Sequence, residues 1–164
     1  MKSSLKIGAA LVLCAAVLVP RFTFAQSIPA AIRAQAAPLP GPYDERGWLD
    51  RFYAPRKYAP AWNPQTAAAA LWVLRQAPVQ GLDPQDYGAD DLQQRLRSGH
   101  ADPARFDVEL TAAMLHYLAD LRVGRVRSEY HTGKSDARLK RYDPVERLRT
   151  GLVAGKLRDA VQAA

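Results

Sequence analysis

DPARFDVELTAAMLHYLADLR, residues 102–122, decides how the rest of the chain is read. Its apolar side chains Phe106, Leu110, Ala113, Met114, Tyr117, Leu118 and Leu121 fall at i, i+4, i+7, i+8, i+11, i+12 and i+15. That stripe drifts slowly around an α-helix and matches no strand. Asp102 is a good N-cap, and Pro103 suits the first helical position, where a backbone N–H would have no partner in any case. Gly124 follows as a natural terminator. The pattern predicts one long central helix.

Working towards the N-terminus, Ala89 to Ser98 reads as a short helix with Leu92 and Leu96 one turn apart and Gly99 as its end signal. Gly81 and Pro84 mark a tight connection before it. Asn63 to Ala77 is a further helix, capped by Asn63, opened by Pro64 and stopped by Pro78, with Leu71, Trp72 and Leu74 on its apolar side. Tyr43 to Ala54 carries Trp48, Leu49, Phe52 and Tyr53 as one aromatic stripe and is ended by Pro55. Arg56 to Trp62 is then a loop with an aromatic content unusual for a solvated turn.

Working towards the C-terminus, Val126 to Tyr142 is polar and shows no clear period. Asp143-Pro144 opens a helix with Val145, Leu148 and Leu152 on one side, Gly155 interrupts it, and Lys156 to Ala164 resumes with Leu157 and Val161. Alanine is abundant and β-branched residues are sparse beyond the first 25 positions, a balance that favours helix over sheet. The expected class is all-α: a small orthogonal helical domain around one long central helix, over residues 43–164.

Residues 1–25 read as a secretory signal peptide. Lys2 and Lys6 give a positive start, and Ile7 to Val19 is an uncharged, mostly apolar run. Thr23-Phe24-Ala25 supplies small residues at the −3 and −1 positions of a cleavage site between Ala25 and Gln26. The run is too short to span a bilayer comfortably, so the expected compartment is the periplasm, with membrane contact only through an uncleaved leader. Leu13, where a small residue is needed, argues against lipidation of Cys14. Residues 26–42, punctuated by Pro29, Pro38, Pro40 and Pro42, read as a Pro/Ala-rich arm in which Ile28 to Ala36 would form at most a weakly held helix.

The formal net charge is +7. Without Lys2, Lys6 and Arg21 it falls to about +4, still favouring anionic partners. Export points these partners away from nucleic acid and towards acidic wall polymer, anionic headgroups or a protein. From Arg122 to Arg158 there are 11 basic residues against 4 acids. Arg122, Arg125 and Arg127 cluster after the central helix as a candidate patch for carboxylates or phosphates. Arginine there also complements the helix C-terminus, which is the plainer reading.

The only cysteine is Cys14, inside the leader, so the remainder has no thiolate nucleophile and no disulfide. His100, His116 and His131 lack the close pairing of zinc ligands, and no metal or other cofactor is expected. His116 and Asp120 stand one turn apart and could share a hydrogen bond, but no serine sits in a nucleophile-elbow context to complete a triad. Glu109 and Asp120 are roughly 16 Å apart along a helix, too far for a glycosidase pair. Trp48, Trp62 and Trp72 could stack on sugars. Tryptophan in a domain this small usually enters the core, with Trp62 in its loop the exception.

Three segments in order carry a family resemblance. They are Phe52-Tyr53 with Arg56, Tyr58, Pro60, Ala61 and Trp62; Gly81-Leu82-Asp83-Pro84 with Asp86-Tyr87; and Glu109-Leu110-Thr111 with Leu115, Tyr117-Leu118, Asp120-Leu121-Arg122 and Gly124-Arg125-Val126. Together they resemble the N-terminal scaffold domain of the large periplasmic L,D-transpeptidases, which cross-link peptidoglycan stem peptides. The resemblance covers about Tyr43 to the C-terminus. It implies a non-catalytic part of such an enzyme, since the cysteine motif of the family is not among these residues and no catalytic residue carries over. The reading is therefore an exported scaffold-type domain tied to wall remodelling, with peptidoglycan or a cell-wall enzyme as partner. Its rivals are a truncated or split transpeptidase whose cysteine domain is encoded elsewhere, and a periplasmic adaptor or inhibitor.

Overall fold

The computed structural model of the chain describes residues 24–36, 45–99, 102–123 and 142–162. Seven α-helices and no strand lie among the described residues: α1 (Phe24–Ala36), α2 (Glu45–Tyr53), α3 (Pro64–Arg75), α4 (Ala89–Ser98), α5 (Pro103–Val123), α6 (Pro144–Val153) and α7 (Leu157–Gln162). The chain is all-α, as its spacing predicts.

Local chemistry sets where these helices begin. Asn63 Oδ1 accepts from Thr66 N at 2.8 Å while Thr66 Oγ1 accepts from Asn63 N at 3.0 Å, a reciprocal box that satisfies two otherwise unpaired donors. Asp102 Oδ1 accepts from Ala104 N at 3.0 Å, and Asp143 Oδ1 accepts from Val145 N at 3.0 Å. In all three helices proline fills the first position. Gly81, at φ +73°, closes the 3-10 turn after α3, a backbone state that a side chain disfavours.

α5 is the axis of the core, packed by α1, α2, α3, α4 and α6. The seven-residue stripe understates its burial. Ala104, Val108, Ala112, Leu115 and Ala119, off the stripe, are also buried, so the helix is covered on nearly every side. The largest wholly buried side chains are Tyr53, Tyr117, Phe52, Ile32, Leu49, Leu71, Leu74, Leu110, Met114, Leu115, Leu118 and Leu148.

The reading of 26–42 as an arm needs correction over its first part. α1 is a 13-residue helix with Pro29 inside it, and it lies along α5. Ile32 is fully buried and Ala36 nearly so, with Ile28 and Ala31 packed beside them. Polar contacts add to the seat: Gln35 Nε2 donates to Asp102 Oδ2 at 3.3 Å, and the Arg33 guanidinium sits 5.0 Å from the Tyr58 ring centroid. Burial of Ile32 against the core outweighs the one hydrogen bond that Pro29 forfeits. Trp72 is a second correction. Its neighbours Leu71, Val73 and Leu74 are buried, but the indole is 46% exposed.

Candidate functional site

The buried polar chemistry of the molecule centres on Asp107, which is 3% exposed on α5. Its carboxylate accepts from Ala61 N through both oxygens at 3.0 Å and from Trp62 N through Oδ2 at 3.1 Å. The Tyr53 hydroxyl donates to Oδ1 at 2.7 Å. One turn along, Thr111 Oγ1 lies 2.7 Å from the Tyr53 hydroxyl, accepts from Trp62 Nε1 at 2.9 Å and donates to the Asp107 carbonyl at 2.9 Å. The aromatic loop 56–62 is thereby clasped to the central helix.

Electrostatics follow from this burial. Desolvation pushes the Asp107 carboxyl above its ordinary range, opposed by the bonds from Ala61, Tyr53 and Trp62 and by the charge of Arg56. Burial pushes the Tyr53 phenol far up, and the neighbouring Asp107 charge adds to the shift. Both groups are held as hydrogen-bonding partners, and burial favours the protonated phenol.

The loop itself is strained. Lys57 and Tyr58 adopt left-handed φ angles of 53° and 58°, a state costing about 1 kcal/mol or more for a residue with a side chain. Compensation is local. Tyr58 N donates to Tyr53 O at 3.0 Å, the Tyr58 ring stacks on Tyr53 with planes 8° apart, and its hydroxyl donates to Asp50.

A second clasp joins the turn before α4 to the far half of α5. The Tyr87 hydroxyl donates to Asp120 Oδ2 at 2.8 Å, and its ring meets Tyr117 edge-on at 5.3 Å between centroids. The three segments that carry the family resemblance thus converge on α5. The first meets the third through Tyr53 and Trp62, which both reach Thr111, and the second meets it through Tyr87.

The other residues singled out in the sequence are scattered. Arg122 is exposed at the end of α5, whereas Arg125 and Arg127 lie outside the described residues, as do His100 and His131. Ala25 and Gln26 fall in the first turn of α1. His116 is half-buried and meets Trp48 edge-on at 6.4 Å. Glu109 pairs with Arg95 at 2.5 Å and Arg105 at 2.7 Å, an ion network between α4 and α5. Trp62 is fixed to the core by its indole N–H. No group of acids, histidines and cysteines among the described residues is placed to hold a metal ion.

Sequence reading passed over Asp107 and the surroundings of Trp72. The signal for Asp107 was an acid between Phe106 and Val108 on the long central helix. Around Trp72 two shallow hollows adjoin. One, of about 430 Å³, is lined by Ala68, Trp72, Arg75, Gln76 and Gln93. The other, of about 500 Å³, continues past Arg75 and Gln93 to Asp90, Gln94, Arg97 and Ser98. The Arg158 guanidinium of α7 stands 4.0 Å from the Trp72 ring centroid.

The model of one protein family, described as Scaffold domain, matches residues 47–164. No curated protein and no solved structure matches the chain.

Proposed function

The chain belongs to the Scaffold domain family, consistent with the scaffold domain of the L,D-transpeptidases, and from this premise we propose an exported, non-catalytic domain that works beside peptidoglycan remodelling. One observation carries the non-catalytic part. The best buried acid, Asp107, is spent on two backbone N–H groups and one phenol, and each partner belongs to the fold. A general acid or base needs an open side facing a substrate, and this carboxylate is turned inward. Asp120, an acid of the third segment, receives the Tyr87 hydroxyl. Residues of the three segments take part in clasps that hold the fold together, which suits a domain that holds other groups in place.

The compartment rests on the leader. Cleavage after Ala25 would trim the first two residues of α1 and leave Ile28, Ala31, Ile32 and Ala36, the residues that seat it, intact. Intact mass of the protein recovered from a periplasmic fraction tests this, with Gln26 expected as the first residue.

Wall contact is tested by pelleting. Mature protein mixed with intact sacculi should sediment with them at low salt and be released as salt rises, because exposed guanidinium contacts are screened within about 8–10 Å at 0.1–0.15 M salt. Protein left wholly in the supernatant at low salt would remove the wall from the proposal.

A further inference from the structure

Three arginines, Arg75, Arg97 and Arg158, stand where α3, α4 and α7 meet. Arg51, Arg95, Arg105 and Arg149 each pair with a carboxylate. Arg75 and Arg97 have no ion-pair partner among the described residues, and both line the adjoining hollows beside Trp72. Arg158 adds a third cation over the indole. Against these three guanidinium groups the groove holds one acid, Asp90.

We propose that this groove binds an acidic, N-acetylated glycan strand. The proposal rests on the wall-contact reading above and names the ligand and its site. The two hollows share Arg75 and Gln93, so they adjoin and offer neighbouring seats to a chain-like ligand. A sugar ring packs its C–H face on the exposed part of Trp72, a flat surface with little side-chain entropy to lose. Gln76 and Gln93 each offer a donor and an acceptor, which matches hydroxyl and acetamido groups. Carboxylates on the strand pair with Arg75 and Arg97 through charge-assisted bonds. A helical protein partner fits less well. Such partners bury several apolar anchors at helical spacing, and here only Trp72 and Ala68 are apolar.

The test uses the mature protein and glycan strands stripped of stem peptides by an amidase, which keep their N-acetyl groups and lactyl carboxylates. Binding is read by titration calorimetry and by the indole N–H resonance of Trp72. Trp72→Ala and the double variant Arg75→Gln/Arg97→Gln should each weaken binding about tenfold or more. Arg149→Gln, on α6, should leave it unchanged. Neutral chitohexaose should shift the same indole resonance at roughly tenfold lower affinity, from loss of the charged contacts. Unchanged affinity in Trp72→Ala, with an unaltered melt, would overturn the proposal. So would polyglutamate competing as well as the glycan, since charge alone would then explain the groove.

Sacculus pelleting separates this failure from that of the wider reading. If Trp72→Ala pellets as well as the unaltered protein, the groove falls and wall contact stands. If the unaltered protein stays in solution yet binds the strands through Trp72, the reverse holds.

Discussion

Tyr53 donates its hydroxyl to Asp107 Oδ1 across 2.7 Å, tying α2 to α5 between residues 54 positions apart. The Tyr53 hydroxyl oxygen also lies 2.7 Å from Thr111 Oγ1, so one phenol touches two side chains of the central helix. Tyr53→Phe keeps the ring and its edge-on contact with Phe52 but leaves the Asp107 carboxylate short of one donor. A buried group losing its partner costs about 1–3 kcal/mol. Urea unfolding should show that loss as a lower midpoint with an unchanged slope, because no surface exposure changes.

Asp107 makes stability depend on pH in a direction opposite to the usual salt-bridged aspartate. Burial raises its carboxyl pKa in the folded chain, with hydrogen bonds from Ala61, Tyr53 and Trp62 offsetting only part of the shift. The folded chain therefore holds this proton to higher pH than the unfolded chain does. The stabilisation from that proton is full below the ordinary value of about 3.9 and is lost as pH rises through the raised folded value. Asp107→Asn removes the titration and turns an amide N–H₂ towards backbone donors, costing on the order of 1–3 kcal/mol. Urea unfolding of both proteins across the acidic range should show the stability gap between them narrowing as pH rises through that window.

How much of this was legible beforehand differs by element, for physical reasons. The starts of α3, α5 and α6 were readable because Asn63-Pro64, Asp102-Pro103 and Asp143-Pro144 each place a capping side chain before a residue that needs no N–H partner. The course of α5 was readable from its apolar period. The firm seating of α1 was not, because its alanines carry little hydrophobic weight and Pro29 reads as a breaker. What holds that helix is Ile32 fitted against another element, a fact of packing. The Asp107 clasp was hidden for a similar reason: its donors come from a loop some 45 residues away in sequence. An aromatic among Leu71, Val73 and Leu74 suggests core, while Trp72 stands on the side of α3 that faces α7 and solvent.

The burial of α1 yields its own test. Ile32 is 0% exposed, so Ile32→Ala should cost about 2–5 kcal/mol, the range for emptying a packed aliphatic site. A tether would tolerate the change with no measurable effect. Thermal melting followed by circular dichroism decides between them. Arg33→Ala, which removes only the cation above Tyr58, should shift stability by about 0.5–1 kcal/mol at most, as exposed cation–π contacts do.

Asp143 holds two roles that single variants can separate. Its Oδ1 caps α6 by accepting from Val145 N at 3.0 Å, and its Oδ2 pairs with Arg51 of α2. The ion pair is solvent-exposed, with the Arg51 side chain 55% accessible, so it contributes about 0–1 kcal/mol and is screened by salt. Loss of a cap costs about 0.5–2 kcal/mol and is far less sensitive to salt, since the donor is a neutral backbone N–H. Arg51→Ala should therefore have a small effect that vanishes in 0.5 M salt, roughly three times the ionic strength of a physiological buffer. Asp143→Ala should keep most of its larger effect there, and Asp143→Asn, which retains the capping oxygen, should behave like Arg51→Ala. Equal losses for Asp143→Ala and Asp143→Asn would mean that charge, and not the cap, starts α6.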